Sequence, residues 1–135
     1  MQKATPGPPA DALVTSSCYA MLLFLGVLEG VIGCFFYGGA IGPVPAAALA
    51  FAVAVFVTCA LAAWGMRTPT AGLMPAVGWF AATFVLAMAT PGGSVVITNT
   101  AAGRWYVYAG SVCAAAGVAV SFAWISRFRR SRAGR

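Results

Sequence analysis

The chain has 135 residues, of which 61% are hydrophobic and only 7% charged, with a mean hydropathy of +0.91. Soluble domains carry roughly a quarter of their residues charged, so lipid is the expected solvent for most of this surface. The net charge is +6, no histidine is present, and the four cysteines form no Cys-x-x-Cys pair, which excludes the usual zinc and haem ligand sets.

Residues 1–11, MQKATPGPPAD, are Pro-rich and polar and read as a disordered leader. A helix needs about 20 apolar residues to cross the hydrocarbon core, and four runs in residues 12–126 meet that length. The first, 14–37, is interrupted only by Glu29. The second, 46–66, follows the breaker GPVP at 42–45. The third, 72–89, lies between RTPT and TPGG, and its Pro75 is expected in the first turn, where a missing N–H does little harm. The loop PGGSVVITNTAAGR (91–104) is longer than a tight turn needs and is expected to lie against the helix ends. The fourth run, 105–125, is followed by a basic tail over 127–135. That tail reads as a stop-transfer anchor touching anionic lipid headgroups, and no nucleic acid partner is expected. No segment alternates like a barrel strand. The predicted fold is all-α, a polytopic four-transmembrane-helix bundle.

Positive charge orients such a bundle. Lys3, Arg67, Arg127, Arg129, Arg130, Arg132 and Arg135 fall on one side of four antiparallel spans, and Arg104 alone on the other. The bias predicts both termini in the cytoplasm. Trp64 and Trp124 mark the inner boundary on this frame, and Tyr37, Trp105, Tyr106 and Tyr108 the outer one. Seven arginines to one lysine, with abundant Ala, Gly and Val, fit a GC-rich bacterial genome and hence a multi-pass protein of the inner membrane.

Cys18, Cys34, Cys59 and Cys113 all sit in apolar runs, where cysteine behaves as a small hydrophobe. VIGC at 31–34 matches a lipoprotein cleavage box, but Glu29 breaks the apolar segment before it and FFYGG follows it, so no cleavage is expected. No carboxylate pair and no nucleophile beside a base is visible, so the sequence predicts neither an enzyme nor catalytic, metal or cofactor-binding residues.

Glu29 is the exception that needs a physical account. A carboxylate near the bilayer centre costs about 3 kcal/mol on insertion scales. It must be paired, face an aqueous cavity, or be neutral. Gly26, Gly30 and Gly33 lie within about 100° of it on a helix, and small residues at this spacing let a second backbone approach. The fourth span offers a partner ladder, Ala109, Cys113, Gly117 and Ser121. Depth nominates Ser111 and Thr83 as partners for the acid, with Tyr108 one turn shallower and Arg104 able to snorkel inward. The favoured role is an interhelical hydrogen-bonding acid; the alternative is a proton or cation site.

The segment LEGVIG (28–33) and the helix count resemble the small multidrug resistance transporters, whose essential glutamate sits in the first helix. GWFAATFVLAMA lacks that family's third-helix aromatic and glycine motifs. Residues 75–110, with Gly78-Trp79, Gly92-Gly93-Ser94 and the stretch Thr98 to Trp105, resemble an uncharacterised group of small four-helix membrane proteins of actinobacteria, mycobacteria included. VLEGVIGCF extends that likeness into the first helix. The resemblance brings no assigned activity and implies a role for the Gly-Ser loop and Arg104–Trp105. The second span carries small-residue stripes, Ala46, Ala50 and Ala54 on one side and Ala48 and Ala52 on another, suited to tight docking. The expected function is a non-enzymatic accessory or scaffold subunit of a larger membrane assembly, bound to other membrane subunits. The alternative is a small proton-coupled exporter or channel built on Glu29 as a homo-oligomer.

Overall fold

The computed structural model describes residues 10–39, 41, 43–88, 97 and 99–134. Four helices follow one another: α1 (Ala10–Phe36), α2 (Ala46–Met66), α3 (Pro69–Ala87) and α4 (Ala101–Ala133). All four are long and apolar enough to cross a membrane. At 1.5 Å per residue the 19-residue α3 is about 28 Å long and the 33-residue α4 about 50 Å, against a hydrocarbon core of about 30 Å.

The helix limits follow local chemistry. α2 has the bounds its hydropathy predicts. In the expected leader, residues 1–9 lie outside the described residues, and Ala10 and Asp11 already belong to α1. In the expected outer loop, residues 91–96 and 98, Gly92, Gly93, Ser94 and Thr98 among them, lie outside the described residues. Its last four residues are the first turn of α4, because the Thr100 side chain accepts a hydrogen bond from the Gly103 N–H at 3.2 Å and caps the helix. α4 then runs through the basic tail, with Arg130 and Arg132 in its last turn, where they complement the helix dipole.

Pro75 is not in the first turn of its helix. Thr68 is extended (φ −133°, ψ 137°) and Pro69, with its fixed φ, starts α3 three residues earlier than hydropathy suggests. Pro75 is therefore inside α3 and buried, and its missing N–H leaves the Ala71 carbonyl without the usual helical donor. Only Arg67 and Thr68 join α2 to α3, and Arg67 takes the left-handed conformation (φ 53°, ψ 29°) that usually selects glycine after a helix.

α1 packs chiefly on α3 and α2 on α4, while α2 and α3 also meet across the centre. Backbones approach where glycines allow it. A Cβ on Gly26 would collide with the Pro75 backbone, and one on Gly78 with the Leu23 carbonyl and the Val27 nitrogen. Gly30 faces Trp79 and Ala82. Gly26 and Gly30 of α1 thus meet α3, and Gly33 meets Tyr106 of α4; none of the three meets the α4 ladder predicted for them. On α4 the buried line is Gly103, Tyr106, Gly110, Ala114, Gly117, Ser121 and Ile125. Gly117 and Ser121 of the expected ladder are in it, facing α2 at Cys59, whereas Ala109 and Cys113 are half-buried. Strict four-residue spacing rotates about 40° per step around a helix, and alternating steps of three and four do not.

Two large rings fill the space the small residues leave. Trp79 and Tyr106 are almost fully buried, with ring centroids 5.7 Å apart. Gly110 provides the notch for Trp79 and Gly33 the notch for Tyr106. Tyr106 is therefore a core residue and not a boundary aromatic, and Tyr37, stacked on it at 5.7 Å, is buried too. Trp105 and Tyr108 are exposed, as is Trp64.

Candidate intramembrane polar site

Glu29 projects from α1 into the narrow seam with α2, where it is half-buried. Its Oε1 accepts a hydrogen bond from Thr58 Oγ1 at 2.5 Å. The same hydroxyl lies 2.9 Å from the Ala54 carbonyl one turn back, so one proton serves two acceptors. Glu29 Oε2 is buried without a hydrogen-bond partner among the described residues.

None of the residues that depth nominated is bonded to Glu29. Ser111 Oγ donates to the Val107 carbonyl of its own helix at 2.7 Å. Arg104 Nη1 donates to Asn99 Oδ1 at 3.4 Å, and Tyr108 is exposed. Thr83 is buried, and its hydroxyl makes no hydrogen bond among the described residues. Thr58 was missed, although it is the one polar residue of α2 and the signal was available: AAALAFAVAVFVTCALAAWGM contains a single hydroxyl.

A second polar group lies at the α1–α3–α4 centre. Tyr106 Oη donates to the Gly30 carbonyl at 3.1 Å and accepts a weak Cys34 Sγ–H bond at 4.0 Å. Trp79 Nε1 is buried and unpartnered. Cys34 is fully buried in this cluster and Cys59 in the α2 core; all four cysteines are free thiols. Among the described residues no cluster of His, Cys, Asp and Glu could hold a metal ion.

No protein-family model matches the chain, and neither a curated protein nor a solved structure matches it. Fold and site together define an all-α protein with four helices apolar enough to cross a membrane and one acid hydrogen-bonded between two of them.

Proposed function

We propose that this is a multi-pass inner-membrane protein of actinobacterial type, acting as a non-enzymatic accessory or scaffold subunit of a larger membrane assembly. The observation that carries the reading is the outward face of α4. Ala115, Ala119 and Ala123 form a four-residue ladder there and are all exposed. Much of the remaining outward surface carries large side chains such as Phe24, Phe35, Phe84 and Val85, with exposed alanines such as Ala20, Ala50 and Ala81 scattered singly among them. Lipid contact makes no use of small residues, whereas helix–helix contact does. The interior supports the same reading: Trp79 and Tyr106 fill the centre of the bundle and leave it unsuited to a substrate path. Purification in mild detergent, with mass spectrometry of co-purifying chains, is expected to recover a distinct membrane protein. Ala119→Phe should release that partner while leaving the helical circular dichroism unchanged. Recovery of the chain only with itself would overturn the reading.

The alternative of a small proton-coupled exporter or channel draws on the half-buried Glu29 and its unpartnered Oε2. In both readings the seven-to-one charge bias sets both termini in the cytoplasm. A phosphatase active only outside the cytoplasm, fused after Arg135, should therefore stay inactive, and strong activity would reverse the topology.

A further inference from the structure

At the end of the bundle where α2 stops, a cavity of about 470 Å³ opens between α2 and α4. Its walls are Trp64, Trp124 and Phe128, and three arginines line it. Arg67 enters from the left-handed turn after α2, and Arg129 and Arg132 stand one turn apart on α4. None of the three guanidinium groups makes a hydrogen bond or ion pair within the described residues. The chain's two acids, Asp11 and Glu29, do not line the cavity. Three full positive charges far outweigh the roughly half negative charge of the α2 C-terminus.

A second cavity of about 260 Å³ continues along the same α2–α4 seam toward the middle of the helices. It shares Trp64 and Trp124 with the first and is otherwise lined by Ala60, Leu61, Ala63, Val120 and Ser121. A cationic pocket thus opens past a pair of indoles into an apolar groove. Guanidinium forks match phosphate oxygens, and indoles suit the level of lipid headgroups. A free phosphate would use the first cavity only; the groove below it fits an acyl chain.

We propose that this α2–α4 seam is a binding site for one anionic phospholipid, its phosphate held by Arg67, Arg129 and Arg132 and an acyl chain laid past Trp64 and Trp124 onto Ala60. The proposal rests on the reading that the four helices cross a bilayer, and it goes beyond a general attraction of the basic tail to lipid by naming a site.

The test uses the full chain, delipidated in mild detergent, and native mass spectrometry with added phosphatidylglycerol, phosphatidylcholine or inorganic phosphate. Phosphatidylglycerol should be retained and phosphatidylcholine lost. At roughly fivefold per basic residue near an anionic surface, Arg129→Gln with Arg132→Gln should weaken binding about 25-fold. Arg127→Gln with Arg130→Gln removes the same charge outside the cavity and should change it less than threefold. Equal loss in the two pairs would reduce the site to diffuse attraction and overturn the proposal. Complete displacement of the lipid by millimolar inorganic phosphate would assign the pocket to free phosphate instead. Ala60→Phe fills the groove and should weaken the long-chain lipid but not a dihexanoyl analogue; no difference between the two would remove the acyl part of the site. Alkaline carbonate extraction of the chain from membranes checks the bilayer reading separately. A chain that resists extraction yet ignores phosphatidylglycerol refutes the lipid site alone.

Discussion

Replacing Gly26 by alanine is expected to destabilise the bundle by about 3 kcal/mol, at the upper end of what overpacking usually does. The added methyl would lie on the Pro75 carbonyl, and the Pro75 carbonyl carbon and Cα are each 2.7 Å from it. Backbone cannot rotate away as a side chain can, so α1 must shift off α3 along the whole crossing. Gly78→Ala meets the same crossing from the other helix, against the Leu23 carbonyl and the Val27 nitrogen. Each substitution alone should lower stability by a similar amount, and the double variant should lose clearly less than twice as much, because one separation of the helices relieves both clashes. Gly65→Ala is the control: its methyl has nothing within 4 Å, and it should change stability by less than about 1 kcal/mol. Unfolding in a denaturing-detergent titration, followed by circular dichroism, reads the parent and all four variants. A Gly26→Ala variant as stable as Gly65→Ala would mean that α1 and α3 do not cross at these glycines.

The helices were legible because each is a long apolar run, and α2 was legible to the residue because prolines precede it and Arg67 with Thr68 ends it in a sharp turn. The far end of α4 was hidden because hydropathy marks where an apolar run stops, while a helix rich in Arg and Ser continues past that point without a sustained apolar signal. The start of α3 was hidden because RTPT reads as a loop, although Pro is at home in a first turn. Helix pairing was the hardest feature to see. Every helix carries small residues at steps of three and four, so composition does not choose between α3 and α4 as the partner of α1. The choice lies in shape: the Gly26 and Gly30 face fits Pro75, Gly78 and Trp79, and the Gly33 notch takes only the ring of Tyr106. Tyr106 and Tyr108 show the same limit. They are two residues and about 200° apart on one helix, so one lies in the core and the other outside, while both look like boundary aromatics in the sequence. Glu29 was legible as an unusual residue, but its partner depended on which helix stands beside α1 at that depth.

Glu29→Gln is expected to leave fold and stability within about 0.5 kcal/mol of the parent, whereas Glu29→Leu should lose about 1 kcal/mol, the size of interhelical hydrogen bonds measured in membranes. The reason lies at Thr58. Its hydroxyl carries one proton and lies near two acceptors, Glu29 Oε1 at 2.5 Å and the Ala54 carbonyl at 2.9 Å. If the proton goes to Ala54, the contact with Glu29 needs a second proton, which a neutral acid can supply. A glutamine amide supplies it too, from the same position and with nearly the same volume. If the proton goes to Glu29, the amide oxygen of glutamine accepts it equally well. Leucine does neither, so the interhelical bond is lost and the Thr58 hydroxyl keeps only the Ala54 carbonyl of its own helix. Thr58→Val should therefore cost about as much as Glu29→Leu, and the two together little more than either, since each removes the same bond. Additive losses would mean that acid and hydroxyl act independently and that the contact contributes nothing. The glutamine variant also separates the two functional readings. An accessory subunit needs only the bond, so Glu29→Gln should recover the same membrane partner in the same yield. A proton-coupled exporter needs a group that changes charge during each cycle, which glutamine cannot do. A Glu29→Gln protein that is fully folded yet inactive, beside an active parent, would identify the acid as the working group of a transporter.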